Sequence, residues 1–272
     1  MKKTILSALV LAAVSAPSFA TVKVDVYNES KMEGDRHSKQ GVEVQYAMDM
    51  GLGFGIEVDT NKAVELSTNY VWAMDNGFYL KPQMSYVFKG EKSQKTPWID
   101  MASSAPGEDE KYTYLQLEGF DGENSDTFKA GLEGGLQFGN GFYTALRYRF
   151  DKQTDATSIK FNIAQNAKGK SAKEYSKLAD SRSLIGRTDI VLGYDFGFLT
   201  LQGKGIHKAE LNKDIKDAYK AVHMKDSGWG TELKATITAF DGVAPYLQLA
   251  SRETTRKGFD NNEVKLGVAF SF

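Results

Sequence analysis

Apolar side chains recur at every second position through most of the chain, the mark of strands whose two faces meet different surroundings. Val22, Val24 and Val26 alternate with Lys23, Asp25 and Tyr27, and Val42, Val44, Tyr46 and Met48 alternate with Glu43, Gln45 and Ala47. Phe54, Ile56 and Val58 face away from Glu57, and Val64, Leu66, Tyr70 and Trp72 face away from Glu65, Ser67 and Asn69. The same rhythm sets Phe78, Leu80, Met84 and Tyr86 against Lys81, Gln83 and Ser85, and Phe128, Leu132 and Leu136 against Lys129, Glu133 and Gln137. Leu146, Tyr148 and Phe150 oppose Arg147 and Arg149; Leu184, Ile190, Leu192 and Tyr194 oppose Arg187 and Asp189; Leu199 and Leu201 oppose Gln202 and Lys204. The last segments set Trp229, Leu233 and Ile237 against Glu232 and Lys234, Val243, Leu247 and Leu249 against Tyr246, Gln248 and Arg252, and Val264, Leu266, Val268 and Phe270 against Lys265 and Ser271. Twelve strands are predicted.

The connections between them alternate in length. Short ones carry Met50-Gly51, Asp75-Asn76-Gly77, Gly139-Asn140-Gly141, Asp195-Phe196-Gly197 and Asp241-Gly242, sequences suited to two-residue hairpins that need positive φ. Long polar ones run through residues 30–39, 90–127, 151–181, 209–228 and 254–261, with a short link at Thr60-Asn61-Lys62 on that same side. A soluble β-sandwich also alternates, but nothing in it sorts turns into a short end and a long end. An antiparallel transmembrane β-barrel does, with short periplasmic turns and long extracellular loops. It also places aromatic residues at strand ends, as with Tyr46, Tyr70, Trp72, Phe78, Phe138, Phe142, Tyr194, Trp229 and Phe270. Closure into a ring leaves no unpaired strand edge in hydrocarbon.

Composition alone suggests a water-soluble all-β domain: 41% hydrophobic and 25% charged residues, 26 Gly, 5 Pro and 16 Phe. The barrel explains the low mean hydropathy of −0.41, because its polar face lines a lumen. With 34 basic against 35 acidic residues, there is no basic excess to displace nucleic-acid counterions. The absence of cysteine excludes disulfides and thiolate metal sites. Residues 1–20 carry Lys2 and Lys3, an apolar run of about ten residues, and a small-x-small end at Ser18-Phe19-Ala20. They are expected to be a cleaved signal peptide, leaving residues 21–272 as one outer-membrane barrel.

Chemistry is expected on the inward faces. The second to fourth strands present Glu43, Glu57 and Glu65, whereas later strands present Lys81, Lys129, Arg147, Arg149, Arg187, Lys204, Lys234, Arg252 and Lys265 against Glu133, Asp189, Glu232 and Glu263. Two arrangements fit. The charges can neutralise one another in a ladder that stiffens the wall, or the bases can form a track that draws anions through a low-dielectric pore. Arginine suits carboxylates through its bidentate fork, and Arg147 and Arg149 point the same way on one strand.

Three segments carry a family resemblance. They are Val64-Glu65-Leu66-Ser67-Thr68-Asn69-Tyr70 with Asp75-Asn76-Gly77-Phe78-Tyr79-Leu80-Lys81-Pro82; residues 141–151 with the core Leu146-Arg147-Tyr148-Arg149-Phe150-Asp151; and Val264-Lys265-Leu266-Gly267-Val268-Ala269-Phe270-Ser271-Phe272. Together they resemble the oligogalacturonate-specific porins, the KdgM-type channels for acidic sugars. That resemblance implies a twelve-stranded monomeric channel for anionic oligosaccharides, with basic tracks along the lumen. Arg147 and Arg149 match the family's Arg-Tyr-Arg strand; Arg187 and Arg252 match by strand position only. The terminal Phe272 looks like the signature read by the barrel-assembly machinery. The large connections after Lys89, Phe150 and Lys208 depart from the family.

Those connections have order of their own. Tyr112, Tyr114, Leu115 and Leu117 fit strands above the membrane. Leu211, Ile215, Tyr219 and Val222 recur at helical spacing, and residues 168–178 fit a second helix. They can constrict the pore mouth or serve as mobile surface loops. No catalytic constellation is evident. His37, His207 and His223 stand in or beside loops without a nucleophile or metal-ligand spacing, and Gly51-Leu52-Gly53-Phe54-Gly55 precedes no helix that could cradle phosphate. No enzyme, cofactor or metal is expected. The reading is a channel for acidic oligosaccharides, with outer-membrane lipid around it. A non-conducting structural or adhesion barrel is the alternative.

Overall fold

Alternation is realised as a closed ring. The computed structural model describes residues 20–32, 38–90, 99–101, 113–118, 125–165, 172–221, 225–253 and 260–272. The expected signal peptide falls almost wholly on residues 1–19, outside the described residues. The ring strands are β1 (Ala20–Lys31), β2 (Ser38–Met48), β3 (Leu52–Asp59), β4 (Val64–Tyr70), β5 (Phe78–Phe88) and β6 (Thr127–Gln137), followed by β7 (Phe142–Gln153), β8 (Leu184–Asp195), β9 (Leu199–Glu210), β10 (Ser227–Ile237), β11 (Val243–Glu253) and β12 (Asp260–Ser271). Each pairs antiparallel with its sequence neighbour, and β1 pairs with β12 from Lys23 opposite Ser271 to Lys31 opposite Glu263. A two-residue piece, Trp72–Ala73, continues the line of β4 and pairs with β5. With a partner on both sides of every strand, no row of backbone donors and acceptors faces hydrocarbon.

The outer face fixes the solvent. Leu146 is 56% exposed, Leu233 63% and Leu266 58%, and comparable apolar side chains stand out from neighbouring strands around the ring, among them Leu66, Met84, Leu132, Ile190 and Leu249. A continuous apolar belt of this kind is tolerated only against lipid. At the turn end the belt meets Tyr70, Trp72, Phe138, Tyr194, Phe196 and Phe240, and at the loop end Phe88, Phe128, Phe150 and Trp229, all exposed. Neighbouring rings touch, as Tyr194 and Phe196 do at 4.6 Å and Tyr148 and Phe150 edge-on at 4.9 Å. Val22 and Val24 are the exception on this face, buried beneath Val42, Val44, Tyr46 and Phe270.

Glycine closes each of the five short turns, with φ of 89° at Gly51, 83° at Gly77, 89° at Gly141, 86° at Gly197 and 68° at Gly242. Two turns are of the expected two-residue type, between Phe196 and Leu199 and between Phe240 and Val243, and the others differ. In the Met74 and Phe138 turns the glycine N–H reaches back to the carbonyl three residues earlier, and no non-glycine turn residue there has positive φ. That is the three-residue loop with a single left-handed glycine forming a bulge. Asn76 and Asn140 supply a side-chain oxygen to the N–H of Phe78 and Phe142, which is why asparagine precedes the glycine.

Beyond the ring at the loop end, Ile99–Met101, Thr113–Glu118, Thr157–Gln165 and Ala172–Ser181 form a four-stranded antiparallel sheet. The strand expected around Tyr114, Leu115 and Leu117 is present; Tyr112 lies outside the described residues. The helix expected over residues 168–178 is corrected: from Ala172 onward the backbone is a strand paired with Thr157–Gln165. Cross-strand pairing there outweighs an apolar spacing too sparse to hold a helix. The other expected helix forms as α1 (Lys213–Ala221). Ile215 is fully buried and Tyr219 nearly so; Val222 lies outside the described residues. Asn212 caps α1 by accepting the N–H of Asp214 at 3.0 Å. Buried Glu210 fixes the approach, accepting from the Ser183 hydroxyl and from the N–H groups of Leu184 and Asn212.

Candidate functional site

Register assigns the inward face. Because Arg147 stands opposite Asp189 and Glu133, Lys204 opposite Glu232 and Gln248 opposite Lys265, the charged alternates share the inner side and the leucines the outer. Inward side chains meet partners two strands away with a fixed offset. Tyr27 on β1 donates to Glu57 on β3, Tyr246 on β11 to Asp25 on β1 at 3.0 Å, and Lys129 on β6 to Glu65 on β4 at 2.7 Å. In each case the partner lies two residues off the ladder row, the drop expected of tilted barrel strands. Carried around the wall, this drop sets Arg147 and Arg149 on β7 level with Glu43 on β2.

On β7 and β8 arginine and aspartate interleave. Asp189, only 1% exposed, accepts from Arg147 and from Arg187 Nε, the latter at 2.7 Å. Arg149 holds Asp151 in a bidentate fork at 2.6 and 2.7 Å. Arg149 and Arg187 are directly opposite across the strands; like charges so placed repel, and the two aspartates offset that repulsion. Lys204 pairs with Glu232 on the adjacent strand.

On β1 to β4 the pattern is different. Asp25, Glu43, Glu57 and Glu65 form an unbroken cross-strand row of carboxylates. They are held mainly by neutral donors: the Tyr246 hydroxyl on Asp25, Gln45 Nε2 on Glu43 at 2.6 Å, and the Tyr27 hydroxyl on Glu57. The Ser85 hydroxyl shares Glu65 with Lys129. Lys39 adds a cation 3.8 Å from Glu57 and 3.2 Å from Asp59.

The tyrosines were not singled out in the sequence, where they read simply as alternates of valine or leucine. They lie flat on the wall over glycine. A Cβ on Gly41 would meet the Tyr27 ring at 2.3 Å, and one on Gly135 the Tyr79 ring at 2.2 Å. The signal that finds them is Tyr paired with Gly in neighbouring strands, since only glycine leaves room for the ring.

The nine expected pore-lining bases therefore separate into groups. Lys129, Arg147, Arg149, Arg187 and Lys204 are paired with carboxylates. Lys234 sits over the Tyr246 ring at 3.9 Å and Lys265 over the Tyr27 ring at 3.5 Å. Closure of the ring thus puts Lys265 beside the acidic wall rather than with the other bases. Arg252 is opposite Gly230 in the β10–β11 register; its side chain lies outside the described residues. Lys81 has no ion-pair partner among the described residues. It projects with Lys129, Arg147 and Arg149 into a lumenal cavity of about 280 Å³, whose lining also includes Glu43, Glu65, Ser67 and Asn69. His207 faces outward against Trp229 at 4.7 Å; His37 and His223 lie outside the described residues.

No protein-family model matches the sequence, and no curated protein matches it. Solved structures do. The chain is similar to the NanC porin, with a TM-score of 0.61 and 16% identity over 91% of this chain and 98% of that one. It is similar to the KdgM porin, with a TM-score of 0.53 and 13% identity over 92% and 99%. A KdgM porin in complex with disordered oligogalacturonate gives a TM-score of 0.52 and 12% identity over 92% and 99%. The fold is that of the KdgM-type porins, a multi-pass outer-membrane barrel.

Proposed function

We propose that this barrel is a monomeric outer-membrane diffusion channel for acidic oligosaccharides. The observation that carries the reading is the lumenal cavity into which Lys81, Lys129, Arg147 and Arg149 all project from consecutive strands β5 to β7. Three of these cations are already balanced, Lys129 by Glu65 within the cavity and Arg147 and Arg149 by Asp189 and Asp151 outside its lining, so they present a graded rather than a saturating field. A carboxylated sugar meets guanidinium and ammonium donors that hold it weakly enough to leave again, which is what conduction requires. Hydroxyl and amide groups of Ser67, Asn69, Gln83 and Ser85 in the same cavity suit the sugar's own hydroxyls. The fold shared with porins, one of them in complex with disordered oligogalacturonate, supports the substrate class. Exposed Phe272 at the end of β12 would serve the assembly machinery during insertion.

The test is single-channel recording of the purified protein in a planar bilayer with a panel of acidic oligosaccharides. Discrete conductance steps, and current interruptions that lengthen with acidic rather than neutral sugars, are expected. Absence of any conductance would overturn the channel reading in favour of a structural or adhesion barrel, for which the sheet beyond the ring offers a surface.

A further inference from the structure

The charged groups lining the lumenal cavity are not equally satisfied. Glu65 is held by Lys129 at 2.7 Å, Arg149 by Asp151, and Arg147 by Asp189. Two groups of opposite sign are left over. Lys81 makes no hydrogen bond and no ion pair with any described residue, and Glu43 has no cation within ion-pair distance among the described residues. The Glu43 carboxylate accepts one hydrogen bond, from Gln45 Nε2 at 2.6 Å. Lys265, seated over the Tyr27 ring, acts on it only through space. Two further donors are unused within the wall: Gln83 Nε2 and Arg147 Nε are buried without a partner.

Each of these is costly to leave unmet. A buried donor without an acceptor forfeits its hydrogen bonds to water, and a charge in a low-dielectric cleft attracts a counter-charge strongly. The unused groups are also sorted in space. The ammonium and the two N–H donors lie on β5 and β7, and the carboxylate lies on β2. A purely anionic ligand satisfies the ammonium and is repelled by the carboxylate.

We propose that the cavity is a binding site for a zwitterionic oligosaccharide, one carrying both a carboxylate and a free ammonium. The carboxylate would take the Lys81 ammonium, and the amine would donate to Glu43. This rests on the acidic-oligosaccharide reading and narrows it to amino sugars linked to uronic acids.

The test compares three probes of equal length in single-channel recording: an oligogalacturonate, an N-acetylated hyaluronan fragment, and the same fragment after de-N-acetylation. The free-amine fragment is expected to block at about tenfold lower concentration than its acetylated parent, the gain from one charge-assisted hydrogen bond. Glu43→Gln should erase the difference between those two probes, and Lys81→Gln should weaken blockade by all three. Equal blockade by the acetylated and free-amine fragments in the unaltered protein overturns the proposal alone, and so does a difference that survives Glu43→Gln. Absence of blockade by any probe overturns the acidic-oligosaccharide reading and this proposal with it. The comparison of the two fragments needs no variant, so it stands even where a substitution prevents folding.

Discussion

Across β1 to β4, four carboxylates stand opposite one another with hydroxyl and amide donors between them; across β7 and β8, arginines stand opposite one another with aspartates between them. Both rows put like charges at the spacing where they repel. The acidic row spreads its burden over many weak donors, each serving one carboxylate. The basic row concentrates it on Asp189, which serves two guanidinium groups while almost wholly shielded from water. The walls should therefore fail differently: the basic one at a single residue, the acidic one by small increments.

Removing Asp189 is the most damaging change this contrast predicts. Asp189→Ala leaves Arg147 and Arg187 without their shared anion, while Arg149 keeps Asp151, and breaking a buried pair from one side costs about 3–5 kcal/mol. Denaturant unfolding in detergent micelles, followed by the heat-dependent gel migration of the folded barrel, measures it. A loss below about 1 kcal/mol, the scale of an exposed pair, would show that lumenal water already screens the cluster.

The next effect is on the field rather than the fold. Arg147→Glu together with Arg149→Glu places two carboxylates level with Glu43 and turns the β7 side of the cavity acidic. Anion preference, read from the reversal potential in a salt gradient, should fall sharply or change sign, and acidic oligosaccharides should lose their blockade. An unchanged reversal potential would mean that the paired guanidinium groups contribute little to selectivity. Lys81, unpaired among the described residues, would then set the sign.

How much of this was legible in sequence depends on what each feature requires. Strand parity needs only neighbours along the chain, so the twelve strands, the inward set and the glycine turns could be read directly. Ile215 and Tyr219 announced α1 in the same local way. Partners across strands need the register, and the register is set by closure. Numbering placed Lys265 with the late, basic strands, yet the β1–β12 seam brings it onto Tyr27. Lys129 reaches Glu65 only because the strands tilt. The strand at Ala172–Ser181 has a helix-like apolar spacing of its own, and the partner that makes it a strand, Thr157–Gln165, is not visible in that local spacing. The pairing that makes Arg147, Arg149 and Arg187 part of a ladder was present as an alternative, and local periodicity had no means of choosing it over an open track.

The smallest predicted effect probes the acidic wall. Tyr27→Phe removes the hydroxyl that donates to Glu57 and leaves the ring in place over Gly41. The ring continues to seat Lys265 at 3.5 Å and Lys39 at 5.7 Å, so packing and both cation–π contacts survive. Glu57 keeps Lys39 at 3.8 Å and is 28% exposed to the lumen, so water can replace the lost donor in part. A hydrogen bond to a charged acceptor is worth about 1.5–3 kcal/mol when nothing replaces it; with lumenal water available, a loss of about 1 kcal/mol is expected. Measured in the same micelles as Asp189→Ala, it should be several times smaller. Equal losses would mean that the acidic row, too, hangs on one shared contact, and the division of the lumen into a distributed wall and a concentrated one would not hold.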